Sequence, residues 1–561
     1  MKKNSKILTS AGLFIVFGLV LPVLGANSFW ENRYSAGRKS QGLADSQKNG
    51  NNNKNNGKVK EEAIAFNKSG APERTTDPNR IHVDPKFASV KEIWTPLNGK
   101  SDKLIVYIQD AHCNYEAQKN SARILESLIN NYGLKLVLVE GAVGNANLSY
   151  LRKSATQEKR IEVAERYLRD GKIAGEEYLD LISDYNFKIE GVENEDLYAY
   201  NLEAFFNVEK FKSKALGILN ILDKLVVNLK SNIYNKEMKE LDKAKNDFDS
   251  EKMKLMDFYK YLFKLAEKKK ISLDGFAQFQ SFSVISKLEE KIVFSQVEKE
   301  RDNLISFLTR KLDKKELKEL IDKSLKFKQN NIKGSEYYGY LEGLGKKSTN
   351  FDQGYPNLVL YVQYITLNDK METMQLFKEE SLVFKRIMDG LASNDDQRQL
   401  CSVAEKLVLL NNFVNLQLSP EEYKFFNEHS LDFFPSKWQN FLVRSAKKYG
   451  FSENLPYDYT PIERNFKTLG SFYQVAEKRD DAFVNNIERN MTGSKQSFAA
   501  LITGGFHADR IVDRLKEKNY SYIIFAPKFG LDDEDIYLSV LKEKGGAWLE
   551  KWREKKNRTK K

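Results

Sequence analysis

The chain has 561 residues, 41% of them hydrophobic and 30% charged, which is long enough for more than one domain and points to a globular protein. The formal net charge is +12, but 78 acidic residues are interleaved with 90 basic ones. With no helix-turn-helix, zinc-finger or RNP-type pattern, no nucleic-acid partner is expected. Two cysteines, Cys113 and Cys401, exclude a disulfide scaffold and a thiolate zinc site.

At the N-terminus Lys2, Lys3 and Lys6 precede an apolar stretch from Ile7 to Leu24, and Val23-Leu24-Gly25 gives a small-residue cleavage context. The expectation is export, to the periplasm or outside the cell, with residues 1–26 a signal peptide or, as the alternative, an uncleaved membrane anchor. No cysteine follows the stretch, which speaks against a lipoprotein. Residues 27–80 are polar and repetitive, rich in Asn, Lys and Gly, and read as a flexible tether.

The first half of an α/β core is expected over 81–195. Leu104 to Gln109 is a short apolar run closed by Asp110 and His112, the mark of a strand buried on both faces. Asn114 caps the following helix, whose apolar positions Leu125, Leu128, Ile129 and Tyr132 run up to a stop at Gly133. Lys135 to Val139 is the second strand, Gln157 to Arg169 a charged helix, and Phe187 to Val192 the third strand. This is βαβαβ patterning, which predicts an open, mostly parallel sheet with flanking helices.

From 196 to 460 the pattern becomes helical. Phe211, Ala215, Ile218, Leu222, Leu225 and Leu229 alternate steps of four and three, a coiled-coil-like seam, and Leu255, Tyr259, Leu262 and Ala266 repeat the step. This stretch reads as a large all-helical insertion, with Tyr355 to Leu367 its most ambiguous segment. The core resumes over 461–545. Asp481 to Met491 is a helix with Phe483, Val484, Ile487 and Met491 on one side, followed by the strand Phe498 to Thr503, then Gly504-Gly505-Phe506-His507, a helix to about Lys518 and the strand Tyr520 to Ala526. Residues 546–561 form a basic tail with Trp548, Leu549 and Trp552 on one face. That face either packs on the core or lies at an anionic membrane surface.

In parallel α/β sheets ligands bind at the carboxyl ends of the strands. That edge should receive His112, Glu140, Glu190 or Glu193, and His507. Each has an ordinary explanation: Asp110 and Asn114 as helix caps, Glu140 as a surface residue, Gly504-Gly505 as a tight turn. Their recurrence at one edge argues for a site. Two imidazoles and two carboxylates there could bind a divalent metal or pair a general base with an acid.

The order of strand-DAH, strand-VEG, strand-EGVE, helix-ERNM and strand-GGFH resembles the superfamily of TraB, the Tiki proteins, ChaN and erythromycin esterase. By that resemblance His112 is the first histidine, Glu140 the first glutamate, Glu193 the Gly-x-Glu carboxylate, Glu488-Arg489-Asn490 the helix motif and Gly504 to His507 the last motif. Gln109 stands where that superfamily has glycine, and Asp110 where some members have glutamate. The likeness implies a TraB/Tiki-like core and a hydrolase, peptidase or esterase, using His112, Glu140, Glu193, Arg489 and His507. In a metal-dependent version His112, Glu140, Glu193 and His507 hold the ion; in a metal-free version His112 is the base. Arg489 lies nearly opposite Ile487 on a regular helix, where solvent exposure is the plain reading, whereas the resemblance turns it toward the crevice. Two alternatives stay open: a ChaN-like haem- or iron-binding protein, and an inactive core carrying a helical interaction module. A disulfide between Cys113 and Cys401 is allowed in an exported protein.

Overall fold

The computed structural model describes residues 72–96, 101–111, 114–328, 332–451, 455–456, 458–529, 542 and 545–559. The signal or anchor segment, nearly all of the tether, and His112 with Cys113 lie outside the described residues.

Seven strands form one sheet: β1 (Ala88–Trp94), β2 (Leu104–Asp110), β3 (Leu136–Val139), β4 (Val143–Asn145), β5 (Lys188–Val192), β6 (Phe498–Gly504) and β7 (Ser521–Pro527). Their spatial order is β1-β7-β2-β6-β3-β5-β4. The five inner strands run parallel, while β1 on β7 and β4 on β5 are antiparallel. Strands from the two ends of the chain therefore interleave, with β6 between β2 and β3. The two antiparallel edges are additions to the parallel pattern.

Alternation along the inner strands builds two cores. Val106, Ile108, Val137, Val139, Ala500, Ile502 and Ile523 face one layer of helices: α1 (Tyr115–Tyr132), α2 (Gln157–Arg169) and α3 (Gly175–Ile182). Helix α1 starts where the Asn114 side chain accepts the Ala117 N–H, and it ends on Gly133 at φ 71°, a left-handed conformation that glycine adopts without strain. Ile105, Tyr107, Leu136, Leu138, Ala499, Leu501 and Tyr522 face the opposite layer, described below.

After β5 the long helix α4 (Glu195–Ile233) begins. Then come α5 (Lys236–Asp249), α6 (Leu255–Lys269), α7 (Ala277–Glu289), α8 (Phe294–Lys311), α9 (Lys314–Lys328), α10 (Gly334–Ser348), α11 (Phe351–Gly354), α12 (Pro356–Lys370), α13 (Thr373–Leu391) and α14 (Asp395–Asn415). The ambiguous segment at 355–367 is thus helix α12, with Pro356 in its first turn, where a missing N–H costs nothing. Ile233–Cys401 forms a compact all-helical unit of its own. It is shorter than the helical stretch 196–460, because α4 up to Asn232 and the helices after Cys401 belong to the sheet-bearing unit. In that unit Phe413 and Tyr423 stack on Tyr473, and Phe426 lies against Phe466. These rings lie on α14, α15 (Pro420–Glu428) and α18 (Phe466–Gly493), with α16 (Pro435–Tyr449) and α17 (Thr460–Glu463) between the last two in the chain.

Helix α18 and α19 (Ala508–Glu517) supply the second layer through Phe483, Val484, Ile487, Met491, Ile511, Val512 and Leu515. The C-terminal helix α20 (Gly546–Thr559) buries Leu549 and Trp552 against Ala199 and Leu202 of α4. Trp552 Nε1 donates to Asp196 Oδ1 at 3.1 Å, and Arg553, Lys555 and Lys556 pair with Glu203, Glu195 and Asp196. Of the two alternatives for this tail, the aromatic residues have taken the packed one. Among the described residues no helix is long and apolar enough to cross a membrane.

Candidate active site

The strand registers bring several polar residues to one place. Asp110 pairs with Gly504 across β2 and β6, and Val139 lies beside Ile502 on one side and Gly191 on the other. The residues just past those positions, Glu140 and Glu193, therefore leave the sheet at the same edge. The Glu140 N–H donates to Ile502 O at 3.0 Å, and its Oε2 accepts the Gly504 N–H at 2.8 Å. Beyond Gly504 a 3-10 turn carries His507 back over this edge, where it is 3% exposed.

Helix α18 supplies the rest. Its buried residues Leu469, Tyr473, Ala476, Phe483, Val484, Ile487 and Met491 follow helical spacing, and Arg479 and Asp480 stand in the same stripe. Arg479 Nε donates to Glu193 Oε2 at 3.3 Å while its Nη2 contacts Glu193 Oε1, a two-pronged grip on one carboxylate. The same Nη2 reaches Glu140 Oε1 at 3.3 Å, and Nη1 donates to Asn201 Oδ1 at 2.7 Å. Asn201 is itself oriented by donating to Phe472 O at 3.0 Å. The rings of Tyr198 and Phe483 lie 5.3 and 5.4 Å from the guanidinium carbon.

His507 is held from both sides. Nδ1 contacts Asp480 Oδ1, and Nε2 lies 3.3 Å from Glu140 Oε1. Arg510 Nη1 lies 3.6 Å from the other Asp480 oxygen. Burial works against the charged imidazole, but Glu140 and Asp480 outweigh it and lift His507 to about 9. Burial likewise pushes the Asp480 carboxyl up against the pull of His507 and Arg510. Burial pushes the Glu193 carboxyl up against the pull of Arg479. Three carboxyl groups thus face Arg479, Arg510 and His507, so each buried ionisable group has partners of opposite sign beside it.

Of the residues singled out in the sequence, Glu140, Glu193 and His507 lie together. Arg489 does not join them: it is exposed on α18, two positions past Ile487. The cation on that helix is Arg479, ten residues earlier. His112 lies outside the described residues. Asp110 accepts from Gln118 Nε2, and Gln118 Oε1 accepts the Gly175 N–H at 2.7 Å, so Asp110 ties the end of β2 to α1 and α3. Cys401 is buried, with Sγ 3.5 Å from the Tyr234 hydroxyl. The sequence reading missed Arg479, Asp480 and Asn201. Extending the apolar stripe of α18 backward by one turn from Phe483 and Val484 would have landed on the first two.

Among the described residues no three of His, Cys, Asp and Glu are placed to hold a metal ion. In the network Arg479 bridges Glu140 and Glu193, and both nitrogens of His507 are engaged by carboxylates. His112, the fourth ligand expected for a metal, lies outside the described residues. Compared with known proteins, the chain matches no protein family, no curated protein and no solved structure.

Proposed function

We propose that this chain is an exported hydrolase of esterase or peptidase type, with a TraB/Tiki-like core, that works without a metal through Glu140 and His507. The observation that carries the reading is the Asp480–His507–Glu140 chain of contacts at the carboxyl edge of the sheet. Glu140 is the member that meets solvent, its side chain 14% exposed against 4% for His507 and Asp480 and 1% for Glu193. A substrate carbonyl docked beside Glu140 would find a carboxylate to take a proton from water and an imidazolium to protonate the leaving group. The water oxygen bonds to the acyl carbon, the acyl–oxygen or acyl–nitrogen bond breaks, and His507 delivers its proton to the departing atom. Glu140 holds the proton removed from water and returns it to His507, which restores both groups. Asp480 fixes the ring with Nε2 toward Glu140, and Arg479 balances the charge of Glu140 throughout.

The test uses the full chain with p-nitrophenyl acetate and an N-acetylated tryptic digest of casein. Hydrolysis of at least one is expected, unchanged by a chelator, with a loss of roughly 100-fold or more in Glu140→Gln and His507→Gln. A folded wild-type chain inert toward both would overturn the reading, and loss of activity on chelation would overturn its metal-free form.

A further inference from the structure

Past a turn at Glu140 and Gly141 the chain forms β4, an edge strand of the sheet. All three of its residues are exposed, Val143 by 58%. Its pairing with β5 fixes which backbone groups are used. Glu193 N donates to Ala142 O at 3.1 Å and Ala146 N to Ile189 O at 2.9 Å, with Gly144 opposite Gly191 between them. In an antiparallel ladder, bonded and outward residues alternate, so Val143 and Asn145 turn their N–H and C=O groups to the open side. The close approach of β4 depends on Gly191, where a Cβ would sit 1.9 Å from Ala142 O.

An open edge next to a reactive carboxylate has a natural occupant. Outward N–H and C=O groups spaced two residues apart are complementary to an extended polypeptide, which adds to a sheet as a further strand, and to little else. The strand also begins beside the site: the chain turns at Gly141, φ 77°, and the Gly141 N–H lies 3.4 Å from Glu193 Oε1. Val143 is three residues from Glu140, so the two lie at most about 10 Å apart.

We propose that β4 is the substrate rail of this hydrolase and that the substrate is an extended peptide, paired through Val143 and Asn145, with its scissile bond within about three residues of the paired position. This rests on the hydrolase reading and deepens it from acyl compounds in general to peptides. The test compares the wild-type chain with Val143→Pro, which removes an outward N–H while leaving the bonds to β5, a substitution that edge strands tolerate. With the acetylated casein digest as probe and mass spectrometry as readout, Val143→Pro should cut peptide hydrolysis at least tenfold and leave p-nitrophenyl acetate hydrolysis unchanged. Equal peptide hydrolysis by both chains would overturn the rail and leave the hydrolase standing, as would a wild-type chain that hydrolyses the ester and no peptide. Hydrogen exchange on the unmutated chain gives a readout independent of folding of the variant and of turnover. The Val143 and Asn145 amides should slow when the digest is added to wild type or to Glu140→Gln. Unchanged exchange would overturn the rail even in a chain with no activity at all.

Discussion

The two compact units each bury a set of carboxylates, and they do so differently. In the all-helical unit Glu379 and Glu380 sit on α13. Glu379 accepts the Phe279 N–H at 2.8 Å, which satisfies one of the orphan donors at the start of α7. Glu380 accepts from the Tyr259 hydroxyl at 3.0 Å and faces Lys245 Nζ at 3.5 Å, and burial raises its carboxyl. Each is absorbed by one local structural task, amid the rings of Tyr259, Phe279 and Phe282. In the sheet-bearing unit the buried charges come from β3, β5, β6 and α18, converge at strand ends, and leave one carboxylate partly open. Burial of charge is therefore not the mark of a site. Convergence from several elements, with one member accessible, is what separates the second cluster from the first.

The largest effect should come from removing the cation that joins the strand ends. Arg479→Leu leaves Glu193 buried without its partner, and breaking such a pair costs about 3 to 5 kcal/mol, read as a loss of unfolding free energy in urea. Because burial already pushes Glu193 upward, a carboxyl without Arg479 takes a proton more readily. The deficit should therefore shrink as the pH is lowered toward 5. A deficit that does not depend on pH would mean that the loss is one of packing.

The next effect is pH dependence. His507 rises from the ordinary 6.5 to about 9 on folding, so its contribution is fully present below about 6.5 and is lost as the pH climbs through 9. The shift corresponds to roughly 3 kcal/mol at one pKa unit per 1.36 kcal/mol. His507→Gln should flatten the fall in stability between pH 6.5 and 9, and wild-type hydrolysis should decline above about 9 as the acid is lost. The helical unit offers the contrast: Glu379→Ala, which deletes a cap, should cost about 1 to 2 kcal/mol and leave any hydrolysis unchanged. Lost activity in that variant would break the distinction between the two clusters.

What the sequence disclosed follows from how local each signal is. The run Leu104 to Ile108, the Asn114 cap and the Gly133 stop are decided within a few residues, and β2 and α1 fall where that reading puts them. Glu140 and Glu193 were visible because each directly follows a strand, and His507 because it lies three residues past one. The edge strands carry weaker signals: β4 is three exposed residues, and β1 has a bulge between Val90 and Glu92 that breaks its alternation. Arg479 and Asp480 look like interruptions of an apolar stripe, and their partners lie far away in sequence. Glu193 is 286 residues from Arg479, so no local pattern can pair them.

The smallest expected effect concerns the two arginines of α18. Arg489 belongs to the Glu-Arg-Asn motif that drew attention to this helix, yet it points away from the stripe into solvent. Arg479 lies in the stripe with its side chain 7% exposed. A residue ten positions along a helix of 3.6 residues per turn is rotated by about 80°, enough to move one cation into the cluster and the other out of it. Arg489→Gln should therefore change stability by no more than about 0.5 kcal/mol, the usual range for surface substitutions, and leave turnover of both probe substrates as in wild type. Should Arg489→Gln abolish turnover while the fold stays intact, Arg489 would have to reach the crevice in a conformation other than this one, and the assignment of the cationic role to Arg479 alone would fall.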